Sequence, residues 1–135
     1  MTATTTERNT PRRDAAQLEL PVAASARLLA GTIAMINASG LAEAGTTATA
    51  RRGVGVVEAT ADNTGGAASA ISVRIRRGCF AFANSTAGDA ITRGDIGATA
   101  YIVDNQTVAK TDGTGTRSPA GVIRDVDGRG VWVQF

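Results

Sequence analysis

Histidine is absent from this sequence, and cysteine occurs once, at Cys79. With no imidazole and one thiol, a single chain can build neither a disulfide framework nor a Cys/His zinc site, and it has no histidine for acid–base catalysis. Aromatic residues make up only 4%, so the core has to be filled by Val, Ile, Leu and Ala. Each fully buried Val, Ile or Leu contributes roughly 1.5–3 kcal/mol, and a small core of this kind is expected to be marginal in isolation and to gain from association. Lysine occurs once, at Lys110; the other cations are all arginine, which suits bidentate interface pairing better. No run approaches the roughly 18 apolar residues of a membrane span, and the opening MTATTTERNTPRRD lacks a secretory hydrophobic region. The expectation is a soluble protein made in the cytoplasm, with no membrane partner.

At 135 residues the chain suits one domain with one core. Fourteen cations and 12 anions leave a net charge of +2, interleaved along most of the chain, which is a mild bias and not the footprint of a nucleic-acid binder. Residues 1–17 are rich in Thr, Arg and Asn around Pro11 and show no apolar periodicity, so they read as an extended N-terminal arm ahead of a single β domain at 18–135. Leu18 and Leu20 alternate with polar neighbours and stop at Pro21, the pattern of a short edge strand that belongs to its own sheet or to a neighbour's.

Short β-prone runs follow, broken by Gly, Asn, Asp and Ser: 28–36 before the Asn37–Gly40 turn, 53–59, and 70–77, where Ile71, Val73 and Ile75 oppose Ser72, Arg74 and Arg76. Alternation of this kind buries one face and wets the other. Arg77-Gly78 reads as a bend into 79–82, and Thr92-Arg93-Gly94-Asp95 as a capping box on a single helical turn. Strands are expected at 99–104, 122–126 and 131–135, with Asp127-Gly128 marking a type I′ hairpin. Only 23–30 offers a competing short helix. The fold class is therefore all-β, a small barrel or sandwich.

Chemistry-bearing motifs are sparse. Gly53-Val54-Gly55 and Gly113-Thr114-Gly115 lack the third glycine and the strand-to-helix setting of a phosphate loop, and read as turns or bulges. Asp125 and Asp127 share a strand face but sit at a hairpin end, where aspartates form turns. The segment 121–130 has a passing likeness to a motif of trimeric dUTP-hydrolysing enzymes, with Val126 where that family has a base-stacking tyrosine. Cys79 beside Phe80 reads as a small buried hydrophobe. The sequons at Asn37, Asn84 and Asn105 matter only on a secretory route. No catalytic residue, metal site or cofactor is expected, and the chain does not read as an enzyme.

The phrases NTPRRD at 9–14, LELPVAA at 18–24, AGTIAMINASG at 30–40, DNTGG at 62–66, ISVRIRRGCFAFANS at 71–85 and ITRGDIGATAYIVDNQTVAKTDGTGTRSPAGVIRDVDGRGVWVQF at 91–135 together resemble the small head-decoration, or capsid cement, proteins of Mu-like and related siphophages among the tailed bacteriophages. The resemblance implies a β-barrel or β-tulip-like domain on the outer capsid surface of the virion, trimeric, with its arm gripping the major capsid protein. On that reading Arg8, Asn9, Thr10, Pro11, Arg12, Arg13, Leu18 and Leu20 contact the shell, and Arg74, Arg76 and Arg77 meet a sister subunit. No specific nucleic acid is expected as a partner. The rival readings are a tail or baseplate β-barrel adaptor and a nucleic-acid-binding barrel.

Overall fold

Alternating and short apolar runs produce twelve short strands between residues 17 and 134, and the computed structural model describes all of residues 1–135. In chain order they are β1 (Gln17–Pro21), β2 (Arg27–Leu28), β3 (Ile33–Ile36), β4 (Ala42–Ala44), β5 (Arg52–Val57), β6 (Ala61–Asp62), β7 (Ser72–Arg76), β8 (Cys79–Asn84), β9 (Thr99–Ile102), β10 (Thr107–Ala109), β11 (Pro119–Asp127) and β12 (Gly130–Gln134). The stretch 23–30, where a helix could compete, holds β2 instead. The expected capping box forms on the 3₁₀ turn Arg93–Asp95, and a second such turn covers Ala87–Asp89.

The strands fall into two groups that follow one another along the chain. Residues up to 76 form a sheet in the order β1-β7-β5-β3-β4 and the small ladder β2-β6, while residues from 79 onward form a closed barrel, β10-β8-β12-β11-β9. Barrel closure depends on one parallel pair, β10 on β8. The first sheet curls so far that its two outer strands touch once, where Val22 bridges Ala42 in parallel.

Two apolar clusters result. Phe82, Ile91, Ile102, Val108, Ile123, Val131 and Val133 fill the barrel; Val22, Leu28, Val57, Val73 and Ile75 fill the concave side of the sheet. Strand β3 joins them, because Ile33 and Met35 project into the barrel cluster and Ala34 into the other. The two layers press so closely that a Cβ on Gly53 would lie 2.7 Å from the Ala120 carbonyl oxygen and 2.9 Å from the Phe135 ring. A side chain there would force the layers apart.

Polar side chains pin the loops that cap the barrel. Asn84 grips the main chain of Ile91 at both ends, donating to its carbonyl at 2.8 Å and accepting from its N–H at 2.9 Å, which seats Ile91 in the core. The β11–β12 hairpin departs from the type I′ expectation. Its central residues Gly128 and Arg129 have negative φ, Asp127 accepts the Arg129 N–H through its carboxylate, and the left-handed φ of 128° falls on Gly130.

Truncation in either cluster is expected to be costly, since both are tightly filled. Ile123→Ala and Ile75→Ala should each lower unfolding free energy by about 2–5 kcal/mol, read from urea denaturation midpoints. A loss under 1 kcal/mol at Ile75 would show that the first sheet contributes little to the cooperative unit.

Candidate functional site

The clearest asymmetry on the molecule lies at β1. Residues 1–16 are exposed and carry no strand; their hydrogen bonds are local, between Thr4 and Thr6 and from the Ala16 N–H to Asp14. Arg8, Asn9, Thr10, Pro11, Arg12 and Arg13 therefore extend from the fold with no partner in their own domain. The chain is captured at Ala16, whose carbonyl accepts the Arg77 N–H at 2.8 Å, and it stays paired through Val22, whose N–H donates to Ile71 at 3.0 Å.

Those two bonds set the register of β1 on β7: Leu18 opposite Ile75, Glu19 opposite Arg74 and Leu20 opposite Val73. Strand β1 thus lies at the edge of its own chain's sheet. In an antiparallel ladder, alternate residues exchange main-chain bonds with the partner strand. The even-numbered positions 16–22 face β7, so the N–H and C=O groups of Gln17 and Glu19 point to the free edge. Pro21, which has no N–H, stands in the same outward row, where proline is tolerated. Leu18 and Leu20 pack half-buried on their own second cluster; they are not free to leave with the arm, and Gln17 is already the first residue of β1.

Alternation also separates the three arginines expected to act together. Arg74 and Arg76 share the wet outer face, with the Arg76 guanidinium 6.0 Å from the centre of the Phe80 ring, while Arg77 lines recesses on either side of the arm's base. One recess, of about 610 Å³, is bounded by Arg13, Asp14, Glu19, Arg74 and Arg77. The other, of about 800 Å³, has an apolar floor of Leu18, Leu20, Ile36 and Val54 under Arg51, Arg52 and Arg77. Leu18 and Arg77 line both, so the two recesses adjoin at β1, and together they are called the trough. No aromatic side chain lines it. Arg51, Arg52, Ile36 and Val54 were not singled out from the sequence, because only the curl of the sheet brings positions 36 and 51–54 beside β1.

Electrostatically the trough is incompletely neutralised. The four intramolecular ion pairs are Arg27–Asp62, Arg51–Glu43, Lys110–Asp95 and Arg117–Asp89, so Arg13, Arg52, Arg74 and Arg77 have no carboxylate within 4.0 Å. Glu43 accepts from Arg51 at 2.9 Å and from Asn37 at 3.0 Å. The Arg51 hydrogen bond holds its carboxyl below the ordinary range. Elsewhere, the Thr111 hydroxyl does the same for Asp89, and the Thr92 N–H for Asp95.

Other candidates do not assemble into a site. Cys79 is exposed, a correction to the buried reading: in β8 it is Phe82 that turns inward. Asp125 and Asp127 bond the main-chain N–H groups of Val126 and Arg129, and no group of three metal-ligating side chains converges anywhere. No helix is long and apolar enough to cross a membrane. No family model, curated protein or solved structure matches the chain.

Depressed carboxyl pKa values carry a sign. Glu43, Asp62, Asp89, Asp95 and Asp127 are all held low, so their stabilisation is complete above the unfolded-state range near pH 4 and is lost as pH falls through the folded-state values. The thermal midpoint is expected to be level from pH 7 to 5 and to drop below about pH 4, with Glu43→Gln showing a lower midpoint at pH 7 and a shallower acid drop. A midpoint that rose on acidification would contradict this account.

Proposed function

We propose that this protein is a structural component of a phage virion that binds the outer surface of the capsid and stabilises the head, using residues 1–16 as a grip. The observation that carries the reading is the arm itself, an exposed segment tethered at the Arg77–Ala16 bond beside an unfilled sheet edge. Its residues can span about 50 Å when extended, enough to cross onto another polypeptide. The resemblance to head-decoration proteins supplies the identity of that polypeptide, the major capsid protein.

Energetically the grip rests on main-chain pairing more than on charge. Exposed ion pairs from Arg8, Arg12 and Arg13 contribute about 0–1 kcal/mol each, and ordering the arm costs conformational entropy on binding. Three copies associated as a trimer would offset that cost, since one bound arm raises the effective concentration of the next two. Any expanded shell state that exposes the arm sites is then favoured by mass action. A tail-adaptor role uses the same surfaces, and a nucleic-acid role is disfavoured by the absence of aromatics along the cationic trough.

The test is co-sedimentation with empty heads of the phage that encodes the protein. The full chain should sediment with heads and not with purified tails. A variant lacking residues 1–15, which keeps β1 and the Ala16–Arg77 bond, should keep its thermal midpoint within a few degrees and lose head binding by at least tenfold. Undiminished binding by the truncated form would remove the arm from the mechanism.

A further inference from the structure

The trough beside β1 combines three features that call for one kind of occupant. Its floor is apolar, from Leu18, Leu20, Ile36 and Val54. Its wall is a strand edge on which Gln17 and Glu19 leave two N–H and two C=O groups unpaired. Its rim is cationic: Arg13, Arg52, Arg74 and Arg77 outnumber the free carboxylates Asp14 and Glu19, while Arg51 is already matched by Glu43.

We propose that this trough is a docking groove for an extended acidic segment of the shell protein, which adds to the free edge of β1 as a sixth strand. The inference rests on the capsid-binding reading and names the chemistry of the partner. Main-chain groups at a sheet edge recognise a strand, and pockets for alternate side chains give it selectivity. The apolar floor takes every second side chain, and the rim selects Asp or Glu in the remaining positions. Edge length limits the paired stretch, because Pro21 offers no donor and Val22 is bridged to Ala42 just beyond it.

Charge also argues against the chain's own arm as the occupant. Ahead of the rim residues, Arg8 and Arg12 outnumber Glu7, so an arm folded back into the groove would set cation against cation. Nucleic acid matches the rim but not the floor or the hydrogen-bonding edge. An acidic strand satisfies all three, and it also brings carboxylates within reach of Arg13 at the base of the arm.

Fluorescence anisotropy of the full chain with a labelled alternating Asp/Val heptapeptide tests the proposal, with the Lys/Val heptapeptide and a thymidine oligonucleotide of equal charge as controls. Saturable binding to the Asp/Val peptide alone is expected, weakening at least fivefold between 50 and 300 mM salt, in line with screening. The double variant Arg52→Glu/Arg77→Glu should weaken it at least tenfold. Glu19→Pro should do the same although it removes a negative charge, because it deletes an edge donor and leaves the bonds to β7 in place. Thermal melts check that both variants fold; if one does not, the other decides. Absent peptide binding, equal binding of the oligonucleotide, or full binding by the folded variants would overturn the groove assignment. If these variants still sediment with heads, the groove is wrong and the arm-based reading stands. If the arm deletion alone leaves head binding intact while the groove variants abolish it, the arm is wrong and the groove stands.

Discussion

Strand β1 is held to β7 through its even-numbered residues, from the Ala16 carbonyl bonded by Arg77 to the Val22 N–H bonded to Ile71. That register does three things at once. It turns Leu18 and Leu20 onto the second cluster, leaves the main chain of Gln17 and Glu19 unpaired, and marks Ala16 as the first residue of the chain that is hydrogen-bonded to the rest of the domain. A shift by one residue would bury Gln17 and Glu19 and expose both leucines, since side chains in a strand alternate strictly. The arm, the trough and its cationic rim are all defined relative to this strand.

Behind the edge lies a scaffold that compensates for its small side chains by sharing them. The barrel closes on itself through the β10–β8 pair, whereas the first sheet touches itself only where Val22 meets Ala42. Strand β3 serves both layers, and the absence of a side chain at Gly53 lets them meet. A sheet anchored on one side by a closed barrel can leave its far edge unsatisfied without unravelling. Natural edges are normally blunted by charge or proline, and here Glu19 and Pro21 do so only in part.

Much of this was legible in the sequence where a local rule applied. The alternation of Ile71, Val73 and Ile75 identified β7, the Thr92–Asp95 capping box identified a 3₁₀ turn, and residues 1–16, which lack apolar periodicity, carry no strand. The same alternation places Arg77 apart from Arg74 and Arg76, a distinction that grouping by charge obscured. What stayed hidden depends on distant pairing. Strands of two or three residues such as β2, β4, β6 and β10 carry no periodic signal, so the division into a curled sheet and a closed barrel could not be read. The partner of β1 lies more than fifty residues away in β7, as the Gln17–Arg76 pairing shows. The hairpin expectation failed because the positive φ sits on Gly130 rather than on the two central residues, and Cys79 was misjudged because β8 turns Phe82 inward and leaves its first residue outside.

Hydrogen exchange at single-residue resolution measures the central claim most directly. In the isolated protein the amides of Leu18 and Leu20 should be protected and those of Gln17 and Glu19 should exchange freely; on assembled heads the two exposed amides should become slow. Protection of all four in the isolated protein, or unchanged exchange at Gln17 and Glu19 on heads, would contradict an open edge that is filled by another chain.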